Sequence, residues 1–318
     1  MNTLGAASKI GLSVMERIGN TPLLRLERIC AEMPDVEVYG KAEWTNPGGS
    51  VKDRAAASIV QDAFRSGKMG GGKRLLDSTS GNTGIAYAML GAACGFAVSL
   101  CVPANVSVER KRILKAYGAE IIYTDPGEGS DGAILKAKEI SAAHPEKYFY
   151  ADQYSNDANW QAHYRGTANE IWEQTHGRIT DFVTVLGTSG TFMGTTRRLK
   201  ELNPRIQCIS LQPDSPFHGI EGAKYMPTSI VPKIYDPTLA DRNLWINTED
   251  CYAMARRLAR EEGMLVGTSS AASLVGALQV ARDRQIEHPV VVCIFCDGAD
   301  KYLSERFWDE GAGPDYEI

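Results

Sequence analysis

The sequence lacks the features that mark several large classes of protein. Its first residues, Met1 to Ile10, contain neither a basic region nor a long apolar core, so we expect neither export nor membrane insertion. A net charge of -5 leaves no basic excess for nucleic acid, whose binding needs a concentrated basic face. Internal repeats, heptads and low-complexity segments are missing as well. These absences predict a cytoplasmic protein without a nucleic-acid or membrane partner.

Cysteine usage argues against a disulfide framework and against a metal site. The seven cysteines are an odd number, lie mostly inside apolar runs and are typical of reduced core thiols. Cys293 and Cys296 form a C-x-x-C, but the run from Val290 to Cys296 predicts a buried strand instead of the turn into a helix that a redox motif needs. A second metal-type pair does not accompany them, so we expect no metal.

Short apolar runs alternate with helical patterns through most of the 318 residues. This alternation is a repeated βαβ pattern, which predicts an α/β fold with mainly parallel twisted sheets flanked by helices. The strands are predicted at Val36 to Lys41, Leu75 to Leu76, Ala97 to Val102, Glu120 to Tyr123, Tyr148 to Tyr150, Phe182 to Leu186, Cys208 to Leu211 and a run that ends at Cys296. The helices are predicted at Ala55 to Phe64, Ile85 to Cys94, Glu109 to Tyr117, Ala133 to Ala143, Asn169 to Gln174, Thr195 to Leu202, Asp250 to Glu262, Ser273 to Arg282 and from Lys301 onward.

A polar stretch, Gln153 to Asn159, separates two such series and predicts a domain junction. We expect an N-terminal segment 1–40 that packs on the larger domain, a smaller domain 41–155 and a larger domain 156–318. A ligand would then lie in the cleft between two sheets, at the carboxyl ends of the strands. Pro216 to Asp236 is rich in Gly and Pro without a period, which favours an ordered functional loop.

Lys52 lies in a glycine-rich turn, Asn46 to Arg54, that runs directly into a helix. Ser50 and Asp53 have the spacing of a capping box, so the helix should begin near Val51. The helix macrodipole disfavours a cation in the first turn, and a lysine that loses its proton there becomes a nucleophile for carbonyls such as that of pyridoxal phosphate. From this segment alone, a surface lysine lying along its own helix is the alternative interpretation.

Three further loops follow apolar runs and precede helices. Asp77 to Gly84 carries many hydroxyls and amides, a composition suited to a carboxylate at a helix N-terminus, although a decorated helix cap is the alternative. Gly187 to Thr191 could hold a phosphate through backbone donors, and alone it also fits an ordinary turn; it is not a Walker loop. Gly267 to Ser270 can be interpreted as a helix cap.

Together these four elements resemble the cysteine synthase family, the pyridoxal-phosphate enzymes of fold type II with a tryptophan synthase β-like fold. The resemblance runs from Gly19–Leu23 to Lys301–Ser304 and is strongest around Lys52 and at Thr79–Gly84. Cys296–Asp297 and the segment after it resemble the O-acetylserine sulfhydrylase B branch. The family implies that the smaller domain is the mobile substrate domain, that the larger one binds the cofactor phosphate, and that the protein is a homodimer.

The resemblance implies a role for each matching residue. Lys52 becomes the Schiff-base lysine and catalytic residue, and Gly222 the loop glycine near the substrate. Ser269 becomes the partner of the pyridine nitrogen; its neutral hydroxyl stabilises a protonated ring less than an aspartate would, which favours loss of a β-substituent over transamination. The cofactor would further be held by Asn82, Gly187, Thr188, Ser189, Gly190 and Thr191, and the substrate carboxylate by Thr79, Ser80, Thr83 and Gln153.

The implied reaction is β-replacement: O-acetyl-L-serine loses acetate to give an α-aminoacrylate, and sulfide adds to form L-cysteine. Where B-type enzymes carry paired arginines, this chain has Ala223-Lys224-Tyr225, and we expect Lys224 to attract anions without bidentate geometry. Cystathionine β-synthase, an O-phosphoserine or thiosulfate-using sulfhydrylase, and a serine or threonine dehydratase are alternatives on the same scaffold. A non-catalytic binding protein is the alternative from another class. A serine acetyltransferase is the macromolecular partner to consider.

Overall fold

The computed structural model describes residues 12–79, 81–283 and 286–310. These residues contain two β-sheets covered by α-helices, which confirms the predicted α/β class. The strands are β1 (Leu23–Arg25), β2 (Glu37–Ala42), β3 (Arg74–Ser78), β4 (Val98–Pro103), β5 (Glu120–Thr124), β6 (Tyr148–Tyr150), β7 (Asp181–Val185), β8 (Gln207–Pro213), β9 (Arg242–Ile246) and β10 (Val290–Phe295). The helices are α1 (Lys52–Arg65), α2 (Asn82–Cys94), α3 (Val108–Ala116), α4 (Gly129–Ala143), α5 (Asp157–Ala162), α6 (Ala168–Gln174), α7 (Gly190–Leu202), α8 (Thr248–Glu262) and α9 (Thr268–Asp283).

The larger sheet has the strand order β1-β2-β10-β7-β8-β9, and the smaller sheet has the order β5-β4-β3-β6. Every pairing is parallel except the one between β1 and β2. Parallel strands need long crossover connections, and helices supply them here. The smaller sheet contains strands β3 to β6, and the larger sheet contains the other six strands. The domain boundaries at 40/41 and 155/156 remain a prediction.

The central strand β10 shows how the core is built. All six of its residues are buried, because helices cover both faces of the larger sheet. Val291, Cys293 and Phe295 pack with α8 and α9, whereas Val292 and Ile294 point the other way, toward α6 and α7. This alternation places a hydrophobic layer on each face of the strand. The strand ends at Phe295, directly before Cys296.

The smaller sheet is covered in the same way. Helices α1 and α2 pack on the face formed by Leu75, Val98 and Leu100, and α4 packs on the face formed by Leu76 and Cys101. Helix α2 is apolar almost all round and correspondingly buried. Because α1 packs on the smaller sheet but starts beside β10, its first residue lies where the two sheets meet.

The C-terminal part departs from the prediction. No α-helix starts at Lys301; the described residues there form two short 3-10 turns, Ala299–Lys301 and Arg306–Trp308. The cause is side-chain anchoring, since the Tyr302 hydroxyl donates to Asp297 and the Trp308 indole donates to the Tyr302 carbonyl at 3.0 Å. Within the described ranges, none of the helices is long and apolar enough to cross a bilayer.

Candidate active site

Lys52 is positioned by the end of β10. Helix α1 begins at this lysine, and the Val51 amide donates to the Cys296 carbonyl at 2.8 Å. Ser50 also forms a β-bridge with Asp297. Backbone pairing therefore fixes the lysine at the carboxyl end of a central strand, and its side chain lines a cavity of about 940 Å³ that includes the solvent at its mouth.

The predicted capping box is wrong. The Ser50 hydroxyl accepts from the Lys52 amide at 3.2 Å, but the Asp53 carboxylate accepts from the Gly48 amide at 2.5 Å instead of returning to Ser50. The chain turns sharply at Gly49, which has a φ of +77°, and this turn places the Gly48 amide against the Asp53 carboxylate. Burial raises the pKa of Asp53 to about 7. Asp53 therefore braces the glycine-rich turn that precedes the lysine.

The loop between β3 and α2 forms the second wall of the cavity. The Thr79 hydroxyl accepts from the amides of Gly81 and Gly84, at 3.0 and 3.1 Å, and so holds the turn closed. The Thr83 hydroxyl donates to Gln153 Oε1 at 2.8 Å, so two predicted carboxylate-binding residues are already in contact. Both of these and Thr79 line the cavity. Ser80 lies outside the described residues.

Asn82 connects this wall to the end of β10. Its Nδ2 donates to Asp297 Oδ2 at 2.7 Å, while its Oδ1 is buried and has no hydrogen-bond partner among the described residues. The amide is therefore oriented by a carboxylate on one side and presents an acceptor on the other. An unsatisfied buried acceptor costs about 1–3 kcal/mol, which points to a ligand donor at this position.

The loop between β7 and α7 forms the third wall. Ser189 adopts a φ of +68°, rare for a residue with a side chain, and its buried hydroxyl has no partner among the described residues. A Cβ on Gly187 would come 2.3 Å from the Gly222 carbonyl oxygen, and one on Gly190 would come 2.0 Å from Asn159 Oδ1. A side chain at position 187 would therefore require a backbone shift, and one at position 190 would require Asn159 to move. Thr188, Ser189, Thr191 and Gly187 line the cavity, whereas Gly190 is buried behind it.

The loop between β8 and β9 forms the fourth wall of the cavity through residues 221–224. It contains the segment Pro216 to Asp236, for which the sequence predicts an ordered loop. The Lys224 amide donates to the Leu186 carbonyl at 2.8 Å, which ties this loop to the end of β7. The Lys224 ammonium forms an ion pair with Asp131 of α4 at 2.8 Å. The sequence predicts that this lysine attracts anions, whereas in the structure the Asp131 carboxylate balances its charge.

The comparisons with known proteins agree with this geometry. The sequence model of the pyridoxal-phosphate dependent enzymes matches residues 14–297. The chain belongs to this family. A cysteine synthase of Aquifex aeolicus is 52% identical over 302 residues, which cover 94% of this chain and 92% of the relative. Cysteine synthase B of Escherichia coli K12 is 41% identical over 308 residues, covering 95% of this chain and 100% of the relative. The crystal structure of cysteine synthase from Entamoeba histolytica has a TM-score of 0.89 and 35% identity, covering 97% of this chain and 94% of that one.

The cavity of this pyridoxal-phosphate dependent enzyme fits its cofactor. Helix α7 has 13 residues, and the first amides of a helix lack partners within it, so its N-terminus can bind a phosphate without a cationic side chain. Ser189 and Asn82 offer the buried polar atoms that lack described partners. Lys52 and Ser269 line the same space, where the amine of Lys52 would meet the cofactor carbonyl and the hydroxyl of Ser269 would meet the ring nitrogen.

His163 is a site residue that sequence reasoning missed. Its Nε2 lies 3.3 Å from the Thr191 hydroxyl and its Nδ1 lies 2.9 Å from the Thr167 hydroxyl. Burial, followed by the nearby charges of Arg54 and Lys52, holds the pKa of this histidine well below its usual range, so it is neutral. It lies on a π-helical segment, His163–Thr167, which is a frequent feature of functional sites but leaves no pattern in the sequence.

Arg110 is the second residue that the sequence did not reveal. It lies on α3, is buried, lines the cavity and forms an ion pair with Glu221 at 3.1 Å. Its guanidinium also lies 4.9 Å from the centre of the Tyr302 ring. Glu221 and Tyr302 line the cavity too. The only signal was the Glu109-Arg110-Lys111 charge run, which is indistinguishable from a solvated helix face.

Proposed function

We propose that this chain is a pyridoxal-phosphate dependent cysteine synthase, which makes L-cysteine from O-acetyl-L-serine and sulfide. The observation that carries the proposal is the position of Lys52, which shares one cavity with the paired Thr83 and Gln153 side chains and with the Gly187–Thr191 loop after β7. The relatives named cysteine synthase, at 52% and 41% identity over nearly the whole chain, support the same substrate class.

Separate groups of residues bind the substrate carboxylate and move the α-proton. Thr79, Thr83 and Gln153 bind the substrate α-carboxylate through hydroxyl and amide donors, which fixes the α-carbon near Lys52. When it is bound, pyridoxal phosphate supplies an electron sink that withdraws charge from that carbon. Lys52 Nζ takes the α-proton as general base and returns it after sulfide has added to the β-carbon. The neutral Ser269 hydroxyl keeps the sink weak, which favours departure of acetate.

The experiment is an absorbance titration of the purified holoenzyme. O-acetyl-L-serine should change the visible band of the lysine-bound cofactor, and sulfide should restore it with release of one L-cysteine per turnover. Lys52→Ala should lack the original band and the turnover, whereas Lys68→Ala, at a lysine 60% exposed on the surface, should behave as the wild type. A band that ignores O-acetyl-L-serine, or a product formed only with homocysteine, would refute the proposal.

We also propose a cytoplasmic location and a homodimeric assembly. All seven cysteines are unpaired, which supports a reducing compartment. A serine acetyltransferase partner and a mobile smaller domain at 41–155 remain predictions from the family resemblance. Sedimentation of the purified protein, alone and with such an acetyltransferase, tests the assembly.

A further inference from the structure

Each cationic side chain in the cavity, apart from Lys52, faces a carboxylate. Among the described residues, three basic side chains line the cavity, namely Lys52, Arg110 and Lys224. Arg110 Nη2 lies 3.1 Å from Glu221 Oε2, and Lys224 Nζ lies 2.8 Å from Asp131 Oδ1. With Lys52 assigned to the cofactor, the cavity keeps no cation whose charge is unbalanced.

Arg110 is held in this pairing from several sides. Its side chain is 6% exposed, and its guanidinium stacks on Tyr302. A Cβ on Gly81 would lie 3.3 Å from Arg110 Nε, so the guanidinium also packs directly behind the loop that follows β3. The Arg110 guanidinium is thereby in contact with Tyr302, the loop after β3 and Glu221, which is its counter-charge.

Glu221 is fixed from the opposite wall. Its backbone amide donates to the Thr268 hydroxyl at 3.0 Å, at the start of the helix that carries Ser269. Its neighbour Gly222 has a φ of +78° and packs its carbonyl against Gly187. Glu221 lines the cavity and its side chain is 38% exposed, so the charge that balances Arg110 lies where an entering ligand can reach it.

We propose that Glu221 is a specificity-determining residue that excludes amino acids whose β-substituent is anionic, such as phosphate esters. This inference rests on the proposed function, because it concerns the leaving group that the same site accepts. An acetyl ester is neutral and meets no repulsion. A phosphate ester brings two further negative charges into a cavity in which Glu221 and Asp131 already neutralise Arg110 and Lys224, so no unbalanced cation attracts them. The positive charge of Arg110 would strengthen the binding of such a ligand only if Glu221 were uncharged.

The size of the effect follows from Coulomb's law. Two unit charges about 8 Å apart, at an effective dielectric constant of about 20, change a binding constant by roughly thirtyfold. Solvent reaches Glu221, so screening reduces this, and we expect roughly a tenfold change when its charge is removed. Glu221→Gln is the suitable variant, because its amide oxygen can still accept from Arg110 and the loop keeps its contact.

The test compares two ligands that differ only in the end group. L-2-amino-4-phosphonobutyrate carries a phosphonate that cannot leave, and L-norvaline carries a methyl group at the same place. Their dissociation constants are measured on the holoenzyme by calorimetry. In Glu221→Gln, binding of the phosphonate relative to norvaline should strengthen about tenfold, and added salt should shrink the difference between variant and wild type. Glu221→Asp keeps the charge and should keep the wild-type ratio. Glu249→Gln removes an exposed acid outside the cavity and should change nothing.

The outcomes separate this inference from the proposed function. An unchanged ratio of phosphonate to norvaline binding in Glu221→Gln overturns the specificity role, because a purely structural contribution would weaken the binding of both ligands together. An equal change of this ratio in Glu221→Asp also overturns it, because that variant keeps the charge. Turnover gives a second readout: kcat/KM for O-phospho-L-serine relative to O-acetyl-L-serine should rise about tenfold in Glu221→Gln. If the ratio of binding constants shifts while the wild type fails to use O-acetyl-L-serine with sulfide, the proposed function fails and the charge selection by Glu221 stands.

Discussion

Replacing Glu170 by glutamine should lower the free energy of unfolding of the protein, because this glutamate balances buried cations close to Lys52. Glu170 lies on α6, and its carboxylate accepts from Lys41 Nζ at 2.7 Å and from both terminal nitrogens of Arg54 at 2.7 Å. Arg54 pairs in turn with the buried Glu43 at 2.7 Å. Glu170 therefore balances two buried cations, Lys41 on β2 and Arg54 on α1. Arg54 lies two residues after Lys52 on the same helix.

The magnitude follows from proton linkage. Burial alone would raise the pKa of Glu170, but hydrogen bonds and charges from Arg54 and Lys41 outweigh it and lower the pKa to about 2 from 4.5. A pKa lowered from 4.5 to about 2 corresponds to about 3 kcal/mol of stability. The side chain is only 14% exposed, so solvent screening removes little of it. Breaking a buried ion pair on one side costs about 3–5 kcal/mol in general, which agrees.

The sign of the pH dependence is fixed by the direction of this shift. Because the folded state lowers the pKa, the contribution is complete above the unfolded value near 4.5 and is lost as the pH falls toward 2. At pH 3.5 the same arithmetic leaves about 2 kcal/mol. The free energy of unfolding of wild type and Glu170→Gln should therefore differ by about 3 kcal/mol at pH 7, and by clearly less at pH 3.5.

The assay is urea unfolding of both proteins at the two pH values and at one fixed cofactor concentration, since a bound ligand shifts apparent stability. Glu173→Gln, an exposed glutamate on the same helix, is the matched control and should cost less than about 0.5 kcal/mol. A loss below about 1 kcal/mol in Glu170→Gln at pH 7, or a difference that does not narrow at pH 3.5, would refute the reasoning.

Two further predictions concern the site and the thiols. Gly187→Ala should weaken cofactor binding at least tenfold, because its Cβ would lie 2.3 Å from the Gly222 backbone oxygen and one of the two loops would have to shift; titration of the apoenzyme followed by absorbance measures this, and wild-type affinity would contradict it. With a disulfide reagent at pH 8, one thiol per native chain should react quickly, since Cys94 is exposed while burial raises the pKa of Cys30 and Cys296 to about 11. Cys94→Ser should abolish the fast phase, and two fast thiols in the wild type would count against the described burial.

The parts of the fold that could be predicted are those whose sequence pattern is local. The run Val290 to Phe295 is apolar throughout, so it indicated a buried strand, and the structure places it inside the larger sheet. Strand β9, Arg242–Ile246, was missed, because as an edge strand it exposes charged and aromatic residues and shows no apolar run. The helix expected from Lys301 was wrong because side-chain hydrogen bonds, from Tyr302 to Asp297 and from Trp308 to the Tyr302 carbonyl, override helix propensity there.

The same distinction explains the site. Loops such as Thr79–Gly84 and Gly187–Thr191 could be found because a strand, a polar glycine-containing turn and a helix follow one another in sequence. The capping box at Ser50 had the right spacing, but Asp53 found a nearer donor in Gly48, which spacing cannot reveal. His163 and Arg110 were missed because Thr191 and Glu221, which they contact, lie on other elements, so only tertiary packing brings the His163 hydrogen bond and the Arg110 charge to the cavity.

Asp297 shows why the two walls of the cavity act as one unit. Its Oδ2 accepts from Asn82 of the smaller-sheet wall and from Tyr302 of the C-terminal segment, and its backbone bridges Ser50 beside the lysine. Tyr302 in turn supports Arg110, which meets Glu221 on the loop above. Hydrogen bonds that share one buried carboxylate are coupled, so a change at any member is felt by the others. The Asn82 amide, the Lys52 turn and the Glu221 charge are thereby held in one arrangement, although they come from three distant parts of the chain.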